Sequence, residues 1–309
     1  MKKTLLILPL TAALLAACGS APIPVTLNTL TVGGVSNTLQ ISAPAKLAVT
    51  ATGSDGNPFT GTATFTSSDP NIIAVAADGT LDVRHLSVAP VILTASEAGK
   101  TATVTVSTYG LDVAGGTYSY SNSPVPGSFF VMALRNADGS SVDTTTPVTI
   151  QGPAAFNNGA ALNFDTKGAT LNYYAFATLP KVQSVTGTYT ATATVGGVVF
   201  SKTFSIDSAQ LQPLASGVTL SLSQAGYTAS GTLPAGSPLV FAAVYNTSAI
   251  GSTRALTTLP QSGTLPSPIT PGQTYYYGVY AQNYNGPEGK TFPDQVNRSY
   301  NYDGQIVAQ

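Results

Sequence analysis

Thr101-Ala102-Thr103-Val104-Thr105-Val106 alternates without a fault between hydroxyl-bearing and aliphatic side chains. That two-residue period leaves the chain little choice but β structure. Successive side chains of an extended strand point to opposite faces, so Ala102, Val104 and Val106 line one face and the three threonines the other, giving a half-buried strand. Gly187-Thr188-Tyr189-Thr190-Ala191-Thr192-Ala193-Thr194-Val195 repeats the device and runs into Gly196-Gly197. Two such glycines predict a tight hairpin turn, with a partner strand over Val198 to Ile206. Within that partner Lys202 shares the parity of Phe200, Phe204 and Ile206. A lysine on the core side predicts an edge position or a bulge. Asp55-Gly56-Asn57-Pro58, Asp78-Gly79, Asp138-Gly139 and Pro271-Gly272 punctuate further short runs as turns, and no extended helical periodicity appears after residue 20. Many short strands so punctuated predict an all-β chain of sandwiches of about 100 residues each.

Charged residues make up only 8% of the chain, about a third of the usual share, so solubility falls to Ser, Thr, Asn and Gln. The 12 Lys and Arg stand against 13 Asp and Glu, and nothing here forms the basic footprint of a nucleic-acid binder. With one cysteine in 309 residues no internal disulfide can staple the fold. Each module must hold together by core burial.

The amino end has a separate logic. Lys2 and Lys3 precede an apolar run from Leu5 to Leu15, followed by small residues. This is the plan of a secretory signal peptide, and the run is too short for a span of about 20 residues. Leu15-Ala16-Ala17-Cys18 resembles the lipobox of bacterial lipoproteins. The resemblance implies cleavage before Cys18, a diacylglyceryl group on its thiol and an acylated amino group, palmitate among the chains. Two or more chains hold a protein on a membrane where one does so only marginally. Gly19 and Ser20 carry no acidic retention cue, which favours an outer-membrane or cell-surface address in the bacterial cell envelope.

Strand alternation stops near Ser107–Gly110 and again near Ser208–Pro213. This divides the chain into a signal peptide (1–17), a tether (18–26), and three β-sandwich modules in tandem (27–107, 108–208 and 209–309). Short linkers predict a rod with limited bending. The first module resembles the group 2 bacterial immunoglobulin-like domain. The resemblance rests on Phe65-Thr66-Ser67-Ser68-Asp69-Pro70, Ile73-Ala74-Val75, Asp78-Gly79-Thr80, Ile92-Leu93-Thr94-Ala95 and the stretch from Gly99 to Val104. Phe65 stands where that family has tryptophan, and Ala89-Pro90 where it has glycine. The third module resembles fibronectin type III through Ile269-Thr270-Pro271-Gly272-Gln273-Thr274-Tyr275, with Tyr277, Val279 and Ala281 alternating onward. The resemblance places Tyr275 at a structural tyrosine corner, whose hydroxyl ties back to the nearby backbone. The middle module shows immunoglobulin-like strands without an assignable motif.

Candidate chemistry is sparse. His85 is the only histidine, and no Gly-x-Ser-x-Gly elbow accompanies it, so a structural or exposed role is expected. One histidine and one acylated cysteine do not make a zinc site. The dispersed Asp69, Asp78, Asp82, Glu288, Asp294 and Asp303 form neither a calcium loop nor a carboxylate pair. No cofactor and no metal is expected, and no enzymatic activity. Tyr275-Tyr276-Tyr277-Gly278-Val279-Tyr280, followed by Tyr284, is the best candidate contact surface. Tyr275 and Tyr277 share the inner face of a strand. Tyr276 and Tyr280 share the other, and would form a tyrosine shelf for a sugar or a protein if they stand outside. The sequons at Asn246 and Asn297 are read as accidental. The sequence thus points to a non-catalytic, lipid-anchored envelope protein acting in adhesion or as a scaffold. Its partners would be the membrane, through the lipid anchor, and an envelope protein or polysaccharide, not nucleic acid. The alternative is a carbohydrate-binding accessory lipoprotein using Tyr276, Tyr280 and Tyr284.

Overall fold

The computed structural model describes residues 24–121, 123–142, 146–164, 175–223, 226–235, 239–245, 252–256, 260–264, 270–283 and 294–307, for residues 175–181 and part of the third module as backbone alone. The signal segment and Cys18 lie outside the described residues, as do Tyr284 and Asn246.

The first 120 residues yield β1 (Leu27–Gly33), β2 (Thr38–Gln40), β3 (Ala45–Lys46), β4 (Ala48–Gly53), β5 (Thr64–Ser67), β6 (Ile73–Val75), β7 (Thr80–Val83), β8 (Val91–Glu97) and β9 (Lys100–Tyr120). Strand β5 pairs with β8 and β8 with β9, while β3, β7 and β6 form a small sheet of their own and β1 pairs with β4. Their inner faces bury Leu39, Leu47, Ile73, Leu81, Val91, Leu93 and Val106, with Phe65 packed half-buried against them. Phe65 therefore joins the core.

Next come β10 (Ser123–Arg135), β11 (Val148–Gln151), β12 (Leu162–Phe164), β13 (Ala175–Gln183), β14 (Gly187–Val195) and β15 (Val198–Ile206). The sheet β13–β10–β9 faces the sheet β12–β11–β14–β15, and an aromatic core fills the sandwich: Phe130, Phe156, Phe164, Tyr189, Phe200 and Phe204 with Leu111, Val113 and Ile150. The hairpin at Gly196-Gly197 forms as expected, Val195 pairing with Val198 and the register continuing unbroken to Gly187 and Ile206. No bulge relieves Lys202. It lies on the terminal strand of its sheet, which is the edge alternative.

The last module holds β16 (Ser216–Ser223), β17 (Gly226–Thr232), β18 (Leu239–Tyr245), β19 (Ser252–Leu256), β20 (Gln261–Thr264), β21 (Thr274–Gln282) and β22 (Arg298–Val307). They form a three-stranded sheet, β16–β17–β20, and a run β22–β21–β18–β19. The chain is thus all-β, its strands packed as β-sandwiches in tandem.

One expectation is corrected. The boundary at Ser107–Gly110 contains no loop, because β9 runs through it as a single strand of 21 residues. Its first half pairs with β8, its centre with β2 in parallel, and its second half with β10. Alternation fails there because the strand becomes buried on both faces, from Leu111 through Tyr118, and such a strand has no reason to alternate. Gly110 takes φ of 110° at the handover, a conformation a side chain would oppose. At its far end Tyr118, Ser119 and Tyr120 pair in parallel with Arg298, Ser299 and Tyr300 of β22. A single strand therefore takes part in all three modules.

Candidate functional site

The described residues that carry chemistry gather where the modules meet. His85 follows β7, Asp112 stands on β9 and Lys202 on β15, and all three side chains are buried. His85 Nδ1 lies 3.2 and 3.3 Å from the two carboxylate oxygens of Asp112. The Leu86 N–H donates to the same carboxylate at 2.8 Å. Lys202 Nζ stands 3.8 Å from Asp112 and donates to the Arg84 carbonyl. A buried carboxylate is tolerable only when paired and hydrogen-bonded, and here an imidazole, an ammonium and an amide share that task. Thr108 and Ser87 close the arrangement. Each hydroxyl accepts the other residue's N–H, and the Thr108 hydroxyl donates to the His85 carbonyl at 2.8 Å.

On its other side His85 Nε2 lies 3.8 Å from the exposed carboxylate of Asp294, in the third module. A hydrolase places a nucleophile opposite that nitrogen. Here the Asp294 carboxylate stands near that nitrogen, beyond hydrogen-bond distance, and the imidazole is held on its other side by Asp112. His85 takes the structural one of its two expected roles. A polar cleft of about 960 Å³ opens beside it, lined by Arg84, Thr188, Ser205, Gln210, Asp294 and Gln295. Among the described residues no group of three or more His, Cys, Asp and Glu gathers as a metal site.

A second network joins the middle and third modules. The Gln295 side chain accepts from the Asp207 N–H at 2.7 Å and donates to the Asp207 carbonyl at 2.9 Å. Asn297 Oδ1 accepts from the Thr117 N–H at 3.1 Å and from its hydroxyl at 3.0 Å. Asn297 is buried, so the sequon there offers no amide to a glycosyl chain, in keeping with its reading as accidental.

The tyrosines divide. Tyr275 is buried and its hydroxyl accepts a hydrogen bond from the Thr270 N–H at 2.9 Å, the backbone tie of a tyrosine corner. Tyr280 does not stand on an open shelf. It is half-buried, its ring 4.2 Å from that of Tyr300 in a stacked arrangement. The guanidinium of Arg298 lies over it at 4.2 Å. Tyr118, Tyr120 and Phe129 complete this cluster at the seam of β9 and β22. Desolvation pushes the Tyr118 phenol far above its usual value and the Tyr120 phenol up to about 12, which suits a packed seam better than a wet contact face. The backbone of Tyr276 pairs with Tyr245 and Gln305, but its side chain, like Tyr284, lies outside the described residues.

Sequence reasoning missed Tyr189, whose hydroxyl donates to the Val185 carbonyl at 2.7 Å. The middle module thus has a backbone tie of its own, four residues back, and burial raises that phenol to about 12. A tyrosine two residues into a strand was the available signal. The partners of Asp112 and Asn297 had none.

No protein-family model matches the chain, and no curated protein does. Solved structures do. Domains A168–A170 of titin are 14% identical, covering 92% of this chain and 98% of that one, with a TM-score of 0.23. Domains 5–6 of the S-layer protein SbsC are 15% identical over 60% of this chain and all of that one, at 0.25. The FN1–FN3 domains of chicken CNTN1 are 12% identical over 92% and 99%, at 0.23.

Proposed function

We propose that this chain is a non-catalytic, lipid-anchored scaffold of the bacterial cell envelope, held by acylated Cys18 and presenting its third module to an envelope partner. The observation that carries the reading is the continuity of β9 through all three modules, reinforced by the buried hydrogen bonds at His85. A scaffold that transmits position from an anchored end to a distal end needs stiff joints. Here the joints are a shared strand and buried hydrogen bonds in place of flexible linkers. The first module, by its sequence resemblance, is a group 2 bacterial immunoglobulin-like domain.

Fractionation of cells producing the wild-type chain and a Cys18→Ser variant, with crosslinking before lysis, tests this. The wild type should stay with the membrane and crosslink to an envelope component, while the variant is released. A wild-type mature amino terminus with a bare thiol, or recovery of the protein only as itself after crosslinking, would overturn the proposal.

A further inference from the structure

The middle sandwich ends in a strand whose outer edge has no partner. β15 is the last strand of the sheet β12–β11–β14–β15. Val195 pairs with Val198 across the two-residue turn, and in such a hairpin the closing pair exchanges ladder hydrogen bonds. Alternation along the strand then aims the N–H and C=O groups of Val199, Ser201, Thr203 and Ser205 away from β14. Among the described residues no backbone group meets them. Long edges are guarded by charge, proline or a bulge. These four residues are exposed and uncharged, and the register is unbroken. The one charge of the strand, Lys202, is already turned inward onto the Arg84 carbonyl and Asp112.

The surroundings say what kind of chain could add there. β15 contributes Lys202 through Ile206 to the cleft beside His85, the first module contributes Asp82 through His85, and the third Asp294 and Gln295. An edge flanked by two other modules admits a single extended chain and disfavours a second copy's whole sheet. Charge selects further. Asp82 pairs with Arg84 at 2.7 Å, and Asp112 has Lys202 beside it. Among the described residues neither Asp207 nor Asp294 pairs with a lysine or arginine, and the Asp294 side chain is fully exposed. That end of the strand therefore favours a cation. At the hairpin end Val198 and Val199 are 52% and 61% exposed, which favours an apolar neighbour.

We infer that the outer edge of β15 takes up an extended segment of a partner protein as an added strand, held by main-chain hydrogen bonds. The segment carries a lysine or arginine toward Asp294 and an apolar residue toward Val198. The inference does not depend on the lipid anchor, and it concerns a surface other than the third module's far end.

Amide NMR titration of the chain from residue 18 onward with the peptide Ac-Thr-Lys-Thr-Val-Thr-Val-NH2, written to lie antiparallel to β15, tests it. Saturable shifts should appear from Val199 to Ser205. A peptide with Glu in place of Lys should bind about two- to fivefold more weakly, and Asp294→Asn should remove that difference. Thr203→Pro deletes an outward N–H without touching the ladder, and should weaken binding about tenfold or more. Absence of saturable shifts along β15, or equal binding of the two peptides to the unaltered chain, would overturn the inference whether or not the variants fold. Shifts at the same amides on concentrating the chain alone would identify a second copy as the occupant and overturn it too.

Discussion

Asp78 shows how much a turn residue can do at the surface. The Lys46 ammonium donates to it at 3.0 Å, and the Thr80 N–H and hydroxyl donate at 3.0 and 2.9 Å. Chiefly through Lys46, the carboxyl falls from the usual 3.8 to about 2. A carboxyl held below its unfolded value stabilises the fold fully above that value, and the contribution is lost as pH falls from about 4 to 2. Carboxyl NMR titration should place Asp78 near 2, and Lys46→Ala should raise it part of the way toward 3.8, the two Thr80 hydrogen bonds remaining. An unchanged titration in that variant would remove the ion pair as the cause. The Asp-Gly dipeptide was legible as a turn, because turn chemistry is local. Lys46, 32 residues away, was not.

At the scale of the element, β9 is the unusual member. Its Gly115-Gly116 pair lies mid-strand, paired with Phe130 and Phe129. A Cβ on Gly115 would lie 2.5 Å from the Phe204 ring, and one on Gly116 only 1.7 Å from the Val296 carbonyl oxygen. The glycines let β9 be clasped by a core on one side and the third module's backbone on the other. Gly116→Ala should therefore cost about 1–3 kcal/mol, as overpacking does, and the loss should fall on the seam. Chemical denaturation supplies the magnitude. Hydrogen exchange of Val296, whose N–H donates to the Gly115 carbonyl at 3.1 Å, should accelerate more than exchange in β14. Equal acceleration at both places would refute the assignment to the seam.

For the whole molecule the shared strand has a thermodynamic consequence. Modules joined by loops unfold independently, whereas the first and middle sandwiches cannot separate without breaking β9 pairing on one side or the other. Calorimetry of the chain from residue 18 onward should show these two melting in one cooperative transition. Asp112→Ala, which strips the partner from His85 and Lys202 and orphans the Leu86 N–H, should lower that transition without splitting it. The destabilisation should be about 2–4 kcal/mol. Two resolved transitions in the wild type would show that the strand does not couple them.

The all-β class, the hairpin at Gly196-Gly197 and the choice of edge or bulge at Lys202 were legible in the sequence alone. Each rests on a two-residue period or a few adjacent residues, and such signals are carried within the segment they describe. Only the tertiary structure decided that β9 passes through the expected boundary, that His85 meets Asp112, and that Tyr280 stacks on Tyr300. Thr117 and Asn297 stand 180 residues apart, and burial from both sides erases the alternation that would have announced the strand between them. Pairings of that kind are set by the packing of whole sheets, a property no short stretch of chain possesses.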